Sequence, residues 1–238
     1  MKPILECKKL KRTALLPALV LGGILAAALP VIDLLARADS IVNPSIPPLN
    51  NLMNSDWMLM AMLNSFLMVL GTCIIYHIEF ADNAIQRMDT LPIRPWSIFL
   101  SKFILLAIAF VIVFLIEGIS LYFCIWKWFS FESGMLRNLA QLMAYAFLLS
   151  LPVLSLMLAV SSFCKNMWIT VGIGVIGLFA AMLLQYVQGM QYFPFLMPYQ
   201  PPLKGIKADS TLCIAAAAET VVFLVAGIIL SKVRRNAA

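Results

Sequence analysis

Six long apolar runs in the sequence constrain the fold more than any other feature. A helix needs about 20 predominantly apolar residues to cross the hydrocarbon core of a bilayer, and every run is close to that length. The runs are Thr13–Leu35, Trp57–His77, Phe103–Trp126, Leu139–Ser162, Trp168–Val187 and Leu212–Leu230. Hydrophobic residues make up 63% of the chain, whereas soluble domains are roughly half apolar. The sequence therefore predicts an all-α integral membrane protein with six transmembrane helices, forming a single domain over residues 1–238.

Lysine and arginine are divided unequally between the two sides that these runs define. Of the 17 basic residues, 12 lie in the N-terminal tail, in the loops after the second and fourth runs, and in the C-terminal tail. Basic residues are retained on the cytoplasmic side of a membrane. We therefore predict that both termini are cytoplasmic, together with the segment between the second and third runs. The same rule explains the net charge of +6, which gives no reason to expect a nucleic-acid partner.

The sequence offers little support for a soluble enzyme or a metal protein. The stretch GIGVIG, Gly172–Gly177, fits the dinucleotide-binding pattern, but that pattern requires a preceding strand and a following soluble helix. Inside an apolar run, such small residues favour close packing of helices. The single histidine, His77, is not accompanied by the cluster of ligands that a metal site requires. We therefore predict no catalytic residue, no metal site and no cofactor bound by the chain itself.

Two carboxylates, Glu117 and Glu219, lie inside apolar runs at similar depth from the predicted outer side. An acidic residue near the bilayer centre costs roughly 2.5–3.5 kcal/mol on insertion scales, and it normally faces protein or water. Two interpretations remain open. In the first, each carboxyl group is neutral or is bonded to a neighbouring helix. In the second, the pair faces a translocation path and attracts a cationic substrate.

The charged stretch Tyr76–Phe103 separates the second and third runs. Asp82 and Asn83 are good helix-capping residues, and they precede a short helical pattern over Ala84–Asp89. Pro92 ends this pattern. The sequence therefore predicts a short amphipathic helix and a turn at the cytoplasmic surface.

The apolar residues of this helix and turn need an explanation beyond that of a solvated connection. An exposed set of this kind is typical of a helix that inserts into a partner's groove. The apolar residues are Ile85, Met88, Leu91 and Ile93, and the charged residues expected to fix the segment by contacts are Glu79 and Arg87.

Four elements of this region resemble the type-2 ABC transporter permeases. They are Glu79 just past the second run, Asn83, the tetrapeptide TLPI at Thr90–Ile93, and SKF at Ser101–Phe103. The chain length, the six runs and the long outer segment before the last run are also similar. The sequence looks most like the small permease subunits of lantibiotic-immunity and bacitracin-type exporters. It departs from the pattern at Ala84, where the family often has glycine.

The resemblance implies that this cytoplasmic segment is a coupling helix that docks on an ATPase subunit. The residues implied in coupling are Glu79, Asp82, Asn83, Ile85, Arg87, Met88, Leu91, Pro92 and Ile93. It also implies two permease subunits, alike or homologous, on a dimer of ABC ATPase subunits that holds ATP and Mg. The expected location is the bacterial cytoplasmic membrane, where the multi-pass chain is surrounded by lipid.

The long outer segment before the last run contains QYFPFLMPYQPP. Its aromatic residues, Tyr192, Phe193, Phe195 and Tyr199, are interpreted either as an interfacial anchor or as the first contact for an amphipathic peptide that leaves the membrane. We therefore expect an exporter permease for a cationic antimicrobial peptide. The alternatives are an exporter of lipophilic drugs, an autonomous secondary transporter and a non-transporting membrane scaffold or sensor.

Overall fold

The computed structural model describes residues 15–43, 45–80, 95–129, 134–187, 189–201 and 209–237. In these ranges the chain is helical, without strands, and six helices are long and apolar enough to cross a membrane. They are α1 (Leu15–Ile41), α2 (Pro48–Phe80), α3 (Pro95–Trp128), α4 (Met135–Phe163), α5 (Met167–Leu184) and α6 (Ser210–Ala237). Two single 3₁₀ turns, Met190–Tyr192 and Met197–Tyr199, lie between α5 and α6. The predicted all-α membrane architecture is confirmed.

The boundaries of α2 and α5 differ from the prediction. The second helix, expected from Trp57, begins at Pro48, where the fixed backbone angle of proline suits the first helical position. The Asn51 side-chain amide donates to the carbonyl oxygens of Asn43 and Ile46, at 3.0 and 3.2 Å, and so holds the preceding turn. Residues 48–56, which precede the predicted run, are therefore helical. The fifth helix ends at Leu184, three residues earlier than predicted.

The centre of the bundle is formed by α2 and α4. Helix α2 packs against α1, α3, α4 and α5, and α4 also packs against α3, α5 and α6. Helices α1, α5 and α6 lie at the periphery and expose apolar side chains such as Leu25, Ile176 and Ile214. These exposed surfaces are suited to lipid or to another membrane subunit, because a water-soluble surface rarely carries large contiguous apolar patches.

Close helix contacts occur at several glycines, including two of those in Gly172–Gly177, for which the sequence predicts close packing. Gly22 faces Leu67 of α2, and Gly174 faces Val69 of α2, with no room for a Cβ at either position. Gly177 contacts the ring of Phe195 in the same way. These positions let the peripheral helices α1 and α5 approach the centre of the bundle.

The bundle has two ends, which we name by what they carry. The loop end carries residues 42–47, between α1 and α2, and the 3₁₀ turns between α5 and α6. The opposite end, where α2 stops at Phe80 and α3 begins at Pro95, is called the coupling end. The charge distribution predicts that the coupling end is cytoplasmic.

Candidate functional site

Lys102 is a fully buried cation at the coupling end. Its side chain is 0% exposed. The Nζ atom donates to the carbonyl oxygen of Ile75 at 3.3 Å and lies 3.8 Å from the centre of the Tyr76 ring. The C-terminal end of a helix carries partial negative charge, and an aromatic face attracts a cation. Lys102 therefore joins the start of α3 to the end of α2.

Phe99, one turn before Lys102, extends this junction to α6. Its side chain is 1% exposed, and its ring lies directly against Gly227. The ends of α2, α3 and α6 are consequently packed together beside the point where the chain leaves α2. We call Phe99, Lys102, Gly227 and the α2 residues Ile75 and Tyr76 the basal junction.

Most of the predicted coupling residues lie outside the described residues. The backbone of Glu79 belongs to the last turn of α2. The others, outside the described ranges, are Asp82, Asn83, Ile85, Arg87, Met88, Leu91, Pro92 and Ile93. The coupling helix therefore stays a prediction, and the structure shows the two helices that it connects.

Glu117 is buried inside the bundle and bonded to a neighbouring helix. Its Oε2 accepts a hydrogen bond from Asn64 Nδ2 of α2 at 3.0 Å. Glu117 is 1% exposed and Asn64 is 3% exposed. Hydrogen bonds between membrane helices contribute on average about 0.6 kcal/mol. This arrangement agrees with the first of the two interpretations, because Glu117 faces the interior of a single chain.

A small cavity of about 30 Å³ adjoins Glu117 between α2, α3 and α4. Pro198, in the second 3₁₀ turn, lines it from the loop end. Besides Glu117, its polar lining includes Trp57, Asn64 and Ser150. Sequence reasoning did not identify Trp57 or Asn64. The available signal was the asparagine in the middle of an apolar run, because polar residues inside a span usually have a function.

Glu219 has a different environment from Glu117. It lies on a half-buried face of α6, and its Oε2 has no hydrogen-bond partner among the described residues. It does not line the cavity next to Glu117. The two carboxylates therefore do not share a cavity in this conformation. A partly buried carboxyl group without a partner is costly beside lipid, so we expect protein or water, rather than lipid, next to Glu219 on α6.

The structure divides the four aromatic residues of the loop end into two pairs. Phe195 and Tyr199 are 4% and 6% exposed and anchor the loop on the bundle. Burial raises the pKa of Tyr199 to about 12, so its hydroxyl group is neutral at physiological pH. Tyr192 is 43% exposed, and Phe193 is half-buried with its ring centre 6.0 Å from that of Phe195. Of these four aromatic residues, Tyr192 and Phe193 are the two that a molecule outside the bundle can reach.

The spanning helices and the charged connection at the coupling end define a polytopic membrane protein. The sequence model of the family described as "ABC-2 family transporter protein" matches residues 4–181, and the chain therefore belongs to this family. It is the membrane-spanning permease subunit of an ABC transporter, a transport subunit rather than an enzyme, and ATP is hydrolysed on a separate ATPase subunit. No curated protein matches the chain. The family assignment confirms the resemblance to type-2 permeases. It argues against the two alternatives of an autonomous secondary transporter and a non-transporting scaffold or sensor.

Proposed function

We propose that this permease belongs to a bacterial exporter that expels a cationic, amphipathic antimicrobial peptide of the lantibiotic type, for immunity or resistance. Two such subunits, alike or homologous, sit in the cytoplasmic membrane on a pair of ATPase subunits. ATP and Mg bind to the ATPases. Both termini and the coupling end face the cytoplasm, and the peptide leaves from the loop end.

The basal junction supports the coupling part of this proposal. A two-state equilibrium moves from 1:99 to 99:1 only when a ligand prefers one state by about 5.5 kcal/mol. Movement of the ATPase subunits against residues 81–94 can shift the equilibrium by this amount only if α2 and α3, on either side of the segment, move together. Lys102 and Phe99 join α2, α3 and α6 at this point, so movement of the segment is passed to three helices at once.

The observation that carries the cargo part is the position of Glu219. This carboxyl group lies nine residues from the start of α6 at Ser210, or about 13 Å at 1.5 Å per residue. Its face of α6 is half-buried and has no cation among the described residues that pairs with it. A water-lined path beside a second subunit accommodates such a group, and a cationic peptide supplies the missing charge. Tyr192 and Phe193 provide an apolar first contact at the loop end.

The conservative substitution Glu219→Gln tests the cargo. Cells carrying the whole transporter at matched membrane levels are challenged with a cationic peptide and, separately, with a neutral lipophilic compound. We expect a several-fold loss of protection against the peptide only, since glutamine keeps the shape and removes the charge. Asp39→Asn is the matched control, because Asp39 is exposed near the end of α1, and it should behave as the wild type. Equal protection by Glu219→Gln and the wild type would show that the charge of Glu219 has no role in recognising the cargo.

A lipophilic drug is the second candidate cargo, and a groove between α3 and α4 favours it. This groove, of about 750 Å³, is lined by apolar side chains with Tyr122 as the polar exception. Leu115 and Ile119, two of its residues, are 61% and 69% exposed. A cargo held only by this groove would be insensitive to the charge at position 219, so the neutral compound in the same experiment separates the two candidates.

A further inference from the structure

Three side chains that line the cavity between α2, α3 and α4 each carry a buried polar atom without a hydrogen-bond partner within the described part of the chain. These atoms are Trp57 Nε1, Asn64 Oδ1 and Glu117 Oε1. The three side chains are 9%, 3% and 1% exposed. Buried polar groups in native proteins are nearly always hydrogen-bonded to protein or ordered water. Three such atoms around one cavity therefore indicate a ligand that both donates and accepts hydrogen bonds.

The chemistry of these atoms identifies the ligand as water. The indole nitrogen of Trp57 can only donate, and the amide oxygen of Asn64 can only accept. A metal ion cannot accept a hydrogen bond from the indole, whereas one water molecule can accept from one group and donate to others. A cavity needs roughly 10–15 Å³ to hold a water molecule, and this cavity has about 30 Å³. It has room for one or two water molecules.

The charge of Glu117 is not balanced by a cation in the described structure. No lysine, arginine or histidine lines the cavity. The lysines of the same helix, Lys102 and Lys127, are 15 and 10 residues from Glu117, which is about 15 Å or more at 1.5 Å per residue. The amide of Asn64 already donates to Oε2. A proton on Oε1 removes the uncompensated charge and also supplies a donor for the water or for Asn64.

We propose that this cavity is a binding site for water and one proton, in which Glu117 is held as a neutral carboxylic acid and water joins it to Trp57 and Asn64. The site connects α2 to α3 through groups of both helices. In this conformation Glu117 presents no negative charge to a cargo.

The proposal is tested by solid-state NMR on the full-length chain in lipid bilayers at neutral pH, with ¹³C-labelled glutamate. The chain has five glutamates, so individual side-chain carboxyl signals can be resolved. Glu117→Gln and Glu117→Asp each remove the signal of Glu117 and identify it, and one assignment suffices if the other variant does not fold. We expect this signal at the chemical shift of a protonated carboxyl group, with magnetisation transfer from water.

Two further measurements separate the water from the proton. Trp57→Phe removes the indole donor, and it should weaken the transfer from water while the Glu117 signal stays in the protonated range. Glu219→Gln, the matched control, should leave that signal unchanged. A Glu117 chemical shift typical of an ionised carboxylate would contradict the proposed protonation. Absence of magnetisation transfer from water would contradict the proposed hydration of the cavity. A signal that moves when sodium is replaced by choline would assign the site to a metal cation instead.

Discussion

Replacing Gly227 with alanine tests whether the basal junction is a tightly packed contact. A Cβ at this position would overlap ring carbons of Phe99. Phe99 is 1% exposed, so its ring has no open space into which it can turn. Either the ring leaves its rotamer or α6 moves away from α3, and both disturb the contact that joins these helices.

The magnitude follows from two opposing terms. Overpacking a well-packed core costs about 1–3 kcal/mol, whereas alanine is favoured over glycine in a helix by about 0.8–1.0 kcal/mol. Gly227→Ala should therefore lower the free energy of unfolding by about 0–2 kcal/mol. Gly172→Ala is the matched control, because nothing lies within 4 Å of a Cβ at Gly172, and only the favourable term applies there. The two variants should differ by about 1–3 kcal/mol.

The assay is reversible unfolding of the purified protein in bicelles, completed by a double-mutant cycle with Phe99→Leu. The smaller leucine should relieve the overlap, so the two changes should be non-additive, as expected of residues in contact. In the assembled transporter, Gly227→Ala should also reduce cargo-stimulated ATPase activity, whereas Gly172→Ala should not. Equal stability of the two alanine variants, or strict additivity with Phe99→Leu, would show that the basal junction is not packed as described.

Three further predictions concern orientation and coupling. On a cysteine-free background, a single cysteine at position 207 should be labelled by an impermeant thiol reagent in intact cells, and one at position 82 should not. The reverse pattern would show that the topology is inverted. Leu91→Asp should insert into the membrane but fail to co-purify with the ATPase, because an unpaired charge is costly in an apolar interface, while Leu91→Met should assemble; normal assembly of the aspartate variant would exclude Leu91 from the interface. Lys102→Met should lower the ATPase stimulation by cargo, because it removes the hydrogen bond to Ile75 and the contact with the Tyr76 ring that join α3 to α2; unchanged stimulation at matched membrane levels would exclude Lys102 from coupling.

The positions of the spanning helices could be predicted from the sequence alone. The length and polarity of each apolar run decide whether it crosses a bilayer, and these are local properties of the chain. The same local logic predicted that glycines of α5 lie at helix contacts, as Gly174 and Gly177 do. Hydropathy placed the start of α2 too late, because the first turns of this helix contain polar residues such as Asn51 and Asn54. The start of the helix is held by hydrogen bonds from the Asn51 side chain to the backbone, which hydropathy does not register.

The partners of the polar side chains inside the bundle were decided only by the tertiary structure. Glu117 and Asn64 are 53 residues apart, and Lys102 and Ile75 are 27 apart. Whether such groups meet depends on the rotation of each helix about its axis and on the neighbour that it faces. The burial of Phe195 and Tyr199, against the exposure of Tyr192, was decided in the same way. A run of apolar residues contains little information about rotation, because lipid and a neighbouring helix are similarly apolar, so these contacts follow from packing complementarity and hydrogen bonding between helices.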